Sequence, residues 1–176
     1  MRITVVEGDI TGQDVDAVVN AANRGMRGGS GVDGAIHAAG GPEVLEDCRR
    51  RFPDGLATGD AGWTTAGRMA ARWVIHVVGP NRHAGETDRS LLTSCYRRAL
   101  EVADELGARS VAFPLVSAGV YGWSREESVD AAFEVFRSAD AARTGVEEAR
   151  FVAFGRPAYE LVRSRVETPP AGSSAG

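Results

Sequence analysis

The chain has 176 residues and a formal net charge of −4, with 43% hydrophobic and 25% charged residues. That is the size of one domain, able to bury a core without disulfide or metal staples, and the composition excludes a disordered or fibrous chain. The acidic balance argues against a dedicated nucleic-acid binder, which needs a basic surface for phosphates.

Arg2 to Glu7 is β-branched and apolar, reads as a strand rather than a signal peptide, and stops at Gly8-Asp9. Ala17-Val18-Val19 is a second short strand, ending in Asn20-Ala21-Ala22-Asn23. A glycine-dense loop, Arg24 to Gly31, runs into a helix opening at Val32 and extending to Ala39. Pro42 to Arg51 continues helically, with Pro42 at a favourable first-turn position. Ala61 to Thr65 and Trp73 to Val78 are strands, the second closed by Gly79-Pro80. Arg89 to Leu106 carries an apolar stripe of helical period (Leu91, Leu92, Cys95, Ala99, Val102, Ala103, Leu106) and ends at Gly107. Ser110 to Pro114 is a buried strand, and Leu115 to Trp123 a loop. Arg125 to Ser138 is an amphipathic helix behind a Ser124/Glu127 capping box. Ala149 to Phe154 is the last strand and Pro157 to Val166 the last helix.

Alternating strands and helices predict an α/β sandwich. Thr168 to Gly176 is low in complexity and reads as a disordered tail, leaving residues 1–167 as the single domain. No charge-free apolar run approaches the ~18–20 residues of a membrane span, so the expectation is a soluble, cytoplasmic, monomeric protein.

All 20 residues counted as Lys or Arg are arginine. Mechanisms that need a side-chain amine, such as a Schiff base or a P-loop lysine, are therefore excluded. The abundance of Arg, Ala, Gly and Val fits a GC-rich, bacterial genome. Cys48 and Cys95 form no metal-ligand spacing and read as buried free thiols. His37, His76 and His83 are scattered, so neither a metal site nor a cofactor is expected.

Ligands of open α/β sheets bind outside the carboxyl ends of the strands. Three such ends carry chemistry here: Gly8-Asp9-Ile10, the Gly28–Asp33 segment, and Ser117-Ala118-Gly119-Val120-Tyr121-Gly122. Two glycine-containing loops that each precede a helix offer two sets of backbone N–H groups to anions, which suits a ligand with two phosphates. With no lysine in the chain GxxxxGK[ST] cannot occur, so the P-loop mode does not apply. Asp9 is either a turn cap or a carboxylate accepting from an exocyclic amine.

The ordered set Gly8-Asp9-Ile10-Thr11, Val19-Asn20-Ala21-Ala22-Asn23, Gly31-Val32-Asp33-Gly34-Ala35-Ile36-His37, Trp73 to Pro80 and Phe113 to Gly122 resembles the macrodomain family, within it the MacroD-type hydrolases. The resemblance spans about residues 1–165. It implies a three-layer α/β/α fold around a mixed, mostly parallel sheet, with ADP-ribose lying across its top. It also implies that Asp9 and the Ile10 backbone hold the adenine amino group, and that Phe154 packs on the adenine, unless it is plain core. Gly31 and Val32 would line the diphosphate from one side. Ser117, Ala118, Gly119, Val120 and Tyr121 would supply donors from the other. Asn23 would hold the distal ribose, and Asp33 would orient or deprotonate the attacking water; its plainer reading is an acid favouring a helix N-terminus.

The implied reaction is removal of mono-ADP-ribose ester-linked to Asp or Glu of modified proteins, and deacetylation of O-acetyl-ADP-ribose, with the substrate diphosphate assisting. The alternatives are a reader that binds ADP-ribosylated proteins or free ADP-ribose without turnover, and a hydrolase of ADP-ribosylated nucleic acid, which the acidic charge disfavours. The missing lysine excludes the Lys/Asp branch of the family, and the missing Cys/His ligands its zinc-dependent branch. Arg27, Ser30 and Trp123 depart from the family pattern. Arg27 and Ser30 would alter diphosphate contacts, and Trp123 would wall the distal ribose. His37 and His76 read as satisfied structural residues, and Tyr121 as a shaper of its loop.

Overall fold

A computed structural model describes residues 1–168. Its core is one sheet of strand order β1-β6-β5-β2-β4-β3. The strands are β1 (Arg2–Glu7), β2 (Ala17–Ala22), β3 (Ala61–Thr65), β4 (Trp73–Val78), β5 (Ser110–Phe113) and β6 (Glu148–Ala153). Every neighbouring pair is parallel except β3 with β4, so the sheet is mixed with a single antiparallel edge. This is the expected fold class.

Side chains alternate between the two faces of each strand, and both faces are buried. Val19, Ile75, Val111, Phe113 and Phe151 point into the larger cluster, under α3 (Arg89–Leu106), α4 (Arg125–Phe136) and α6 (Arg156–Glu167). Rings interlock there: Phe113 and Phe136 centroids lie 4.8 Å apart, and Phe133 stacks on Phe151 at 5.6 Å. Val18, Val74, Ala112 and Val152 point the other way, onto Ile36 of α1 (Gly31–Gly40), with α2 (Pro42–Arg51) following. The result is three layers, α/β/α.

Local signals explain most element ends. Asp88 accepts the Ser90 amide at 2.9 Å to start α3, and Gly107 at φ 74° ends it. The Ser124/Glu127 capping box starts α4. Two boundaries differ from the expectation by more than one residue. β2 runs on to Ala22 because β4 pairs with it residue for residue, Asn20 opposite His76 and Ala22 opposite Val78; pairing overrides the poor strand propensity of Asn. The α4 helix stops at Phe136, and Ser138 instead caps a one-turn helix, α5 (Ala139–Ala142), by accepting the Ala141 amide at 3.2 Å. Cys48 and Cys95 are buried and free. Among the described residues no helix is long and apolar enough to cross a membrane. Of the expected tail, residues 169–176 lie outside the described residues; the carbonyl of Thr168 accepts from Arg137 at 3.0 Å.

Candidate active site

Because β1, β6, β5, β2 and β4 are parallel, their carboxyl ends open on one edge of the sheet. Two adjoining lobes form a cleft there, sharing Gly31 and Val32. The outer lobe, about 600 Å³, lies between the end of β1 and the end of β6. The inner lobe, about 320 Å³, lies between the start of α1 and the loop after β5.

Asp9, Ile10 and Phe154 line the outer lobe. Asp9 is a turn cap, since its Oδ1 accepts the Thr11 amide at 2.9 Å and the Thr11 hydroxyl at 2.7 Å. These bonds hold its carboxyl below the ordinary range. Its Oδ2 has no partner among the described residues, so the cap leaves one acceptor for a ligand. Phe154 falls just past β6 and is 93% exposed, which rules out the plain-core reading.

The inner lobe is built from two loops and a helix end. Gly31 opens α1 at φ 62°, and the first-turn amides of α1 face the cleft as its positive end. Opposite, the amides of Ala118, Val120 and Tyr121 donate to nothing among the described residues. Gly119 differs from them: its amide donates to the Trp123 carbonyl at 3.3 Å, and it does not line the lobe. Ser117 lines the lobe at φ 64°, a backbone conformation rare outside glycine. A closed ring of hydrogen bonds fixes the approach to it. Ser128 Oγ donates to the Val116 carbonyl at 2.6 Å, the Val116 amide donates to Tyr96 Oη at 3.0 Å, and Tyr96 therefore donates to Ser128 at 2.7 Å.

Asn23 and Asp33 meet at the floor of this lobe. Asn23 Oδ1 accepts the Met26 amide at 3.2 Å and Nδ2 donates to the Gly28 carbonyl at 3.1 Å, which leaves one amide hydrogen free. Asp33 is 5% exposed; its Oδ1 accepts from Asn20 Nδ2 at 2.8 Å and faces His37 Nε2 at 3.4 Å. Its Oδ2 has no partner among the described residues. Burial pushes the Asp33 carboxyl up, but hydrogen bonds from His37 and Asn20, with the electrostatic pull of His37, outweigh it and hold it low. Both atoms border Gly29, where an added Cβ would stand 2.9 Å from Asp33 Oδ2 and 3.4 Å from Asn23 Nδ2.

Beneath Asp33 runs a buried polar chain. Asn20 also meets His76 Nδ1 at 3.0 Å, and His76 Nε2 meets Thr64 Oγ1 at 2.8 Å. With its amide donating to both Asp33 and His76, Asn20 fixes the His76 proton on Nε2. That proton goes to Thr64, whose hydroxyl donates to the Thr65 carbonyl at 3.0 Å. Burial first, then the neighbouring His37 charge, pushes His76 down to about 3, so it stays neutral. From the sequence alone Asn20 carries no role and His37 reads as structural. The available signal was a pair of polar residues inside apolar strands, which must find partners.

The three departures resolve differently. Arg27 donates to the carbonyls of Met26, Phe52 and Pro53 at 3.1–3.3 Å, so it pins the glycine loop and does not reach the cleft. Ser30 lines the inner lobe and makes no side-chain cap bond. Trp123 is 4% exposed, in the core cluster, with the Arg82 guanidinium 4.1 Å from its ring centroid. It supports the loop from behind and walls nothing, because its ring packs inward.

The macro domain family profile matches residues 19–132. A macro domain-containing protein of Streptomyces coelicolor is 52% identical over 93% of this chain and 98% of its own. The chain belongs to the macro domain family. An O-acetyl-ADP-ribose deacetylase 1 of Pantoea vagans is 40% identical over 91% of this chain and 95% of that protein. Among solved structures, the Oceanobacillus iheyensis macrodomain with ADP is 33% identical and superposes with a TM-score of 0.85 over 93% of this chain and 88% of its own. The Trypanosoma brucei macrodomain in complex with ADP-ribose is 34% identical, with a TM-score of 0.86 over 94% of this chain and 69% of that one.

Proposed function

We propose that this macro domain binds ADP-ribose across the two lobes and hydrolyses mono-ADP-ribose esters of Asp and Glu side chains. The observation that carries the reading is the Asp33 carboxylate, held on Oδ1 from below and open on Oδ2 beside the free Asn23 amide hydrogen. In this reading the outer lobe takes adenine, with Asp9 Oδ2 and the Ile10 amide on its amino edge and Phe154 over its face. The diphosphate lies between the α1 first turn, with Gly31 and Val32, and the amides of Ala118, Val120 and Tyr121. Helix-end and loop amides both favour an anion there. Asn23 then holds the distal ribose, and Asp33 Oδ2 orients a water at C1″.

A carboxyl held below its usual range is a weak base. Asp33 therefore acts more by orienting water and by opposing the positive charge that develops at C1″ than by strong proton abstraction. A glycosyl ester already carries a good leaving group, so positioning suffices. The relative named as an O-acetyl-ADP-ribose deacetylase favours O-acetyl-ADP-ribose as a second substrate, since it presents an ester on the same sugar.

The test is release of ADP-ribose from a glutamate-modified protein by wild type, Asp33→Ala and Asn23→Ala, with ADP-ribose affinity measured alongside. Release about 10²-fold or more slower in both variants, with affinity retained, supports the hydrolase. Tight binding without release by wild type leaves a reader.

A further inference from the structure

A third cavity, about 320 Å³, opens on the far side of Asn23 and Tyr121 from the cleft. It shares those two residues with the inner lobe, and its walls also include Arg24, Gly79, Asn81, Ala84 and Glu86. We propose that this cavity seats the acceptor side chain that carries the ADP-ribose, and that Arg24 receives its departing carboxylate. The inference rests on the reading that Asn23 holds the distal ribose, because a substituent on C1″ then points past Asn23 rather than back along the cleft.

Three features bear on an acidic acceptor. Arg24 follows Asn23 directly, is exposed, and makes no ion pair or hydrogen bond from its side chain among the described residues. Glu86 is committed differently, with Oε1 accepting the Asn81 amide at 3.1 Å. The Arg24 charge helps to hold the Glu86 carboxyl low, so an arriving carboxylate meets Arg24 with one acidic neighbour already in the wall. Tyr121 stands between the two spaces, and burial, then the charges of Asp33 and Glu86, raises its hydroxyl. It is a neutral partition.

In the step itself, a water oxygen bonds to C1″ as the C1″–O bond to the acyl group breaks. The departing carboxylate keeps the electron pair and pairs with Arg24, and the water's proton leaves by way of Asp33 to solvent. Charge on the leaving oxygen grows toward the transition state, so Arg24 acts on turnover more than on ground-state binding.

Two variants test this on the full chain. Arg24→Gln should slow release from a glutamate-modified protein by about tenfold or more in kcat, the size of one lost charge-assisted hydrogen bond. Ala84→Trp should block the cavity and weaken binding of the modified protein. Both should keep free ADP-ribose affinity within about twofold of wild type. Unchanged kcat in Arg24→Gln, or parallel loss of free ADP-ribose binding in both variants, overturns the subsite. If wild type releases nothing, the hydrolase reading fails separately. The cavity is then judged on affinity alone: equal binding of modified protein by wild type and Ala84→Trp overturns it, and selective loss sustains it.

Discussion

Asn20 and His76 are register partners on adjacent parallel strands, and their side chains meet at 3.0 Å directly under the carboxylate of Asp33. The strand register is therefore what aims the acid. Asn20 gives one amide hydrogen to Asp33 and the other to His76, so His76 steadies the amide that holds Asp33 Oδ1.

A pH dependence of stability follows. In the folded chain His76 is pushed down to about 3 from an ordinary 6.5. Between those values the unfolded chain binds the extra proton, so stability falls as pH drops from 6.5 toward 3 and is full above 6.5. In His76→Gln the melting temperature should decline less over pH 6.5–4 than in wild type. Equal slopes would mean that His76 is not the titrating group. Asp33, held low, stays ionised through most of that window, so turnover should persist while stability declines.

Gly29 has the most exposed role with the least chemistry. Its bare α-carbon borders both Asp33 Oδ2 and Asn23 Nδ2, and a methyl group there would press on the carboxylate at 2.9 Å. Gly29→Ala should lower kcat by about tenfold or more, because displacement of a reacting group by a fraction of an ångström is costly. It should melt within a few degrees of wild type; comparison of kcat with the melting curve checks both halves.

Tyr96→Phe removes the acceptor for the Val116 amide and the donor to Ser128. A buried amide left unpaired costs about 1–3 kcal/mol. Chemical denaturation should show that loss, and ADP-ribose should bind more weakly because the loop from Ser117 to Tyr121 loses its anchor. Wild-type affinity in a destabilised variant would place the loop's rigidity elsewhere, such as in Arg82, whose guanidinium grips Glu127 at 2.9 and 3.1 Å.

Phe154→Ala should leave stability almost untouched, since the ring is 93% exposed. ADP-ribose affinity should fall by about five- to tenfold, the worth of one ring on a base face. Titration calorimetry on the two proteins decides it.

The layered fold was legible because strand and helix periods alternate cleanly and because Gly107, Ser124 and Pro42 mark their helix ends as expected. The length of β2 was not legible, since Asn20 looks like a strand breaker until His76 is opposite it. The positions of Asp9, Gly31, Asn23 and Asp33 along one edge follow from a resemblance carried by ordered motifs. What no motif showed was the use to which arginines are put. Arg27 reads from the sequence as a diphosphate contact and Arg82 has no reading, yet one is spent on three backbone carbonyls and the other on Glu127 and the Trp123 ring. Apart from the Met26 contact, these pairings join residues 25 to 45 positions apart, beyond the reach of local pattern.

Val120 is 82% exposed and Phe154 93%, the two large apolar side chains left open to solvent among the described residues, and they stand over opposite lobes of the same cleft. Both are hydrated while the cleft is empty and are covered when a ligand spanning it arrives. Covering apolar surface lowers the heat capacity, so the enthalpy of association should grow more favourable on warming while its entropy grows less so. The cleft is thereby a thermal buffer: its affinity changes little across a range of temperatures over which the balance of forces behind it turns over.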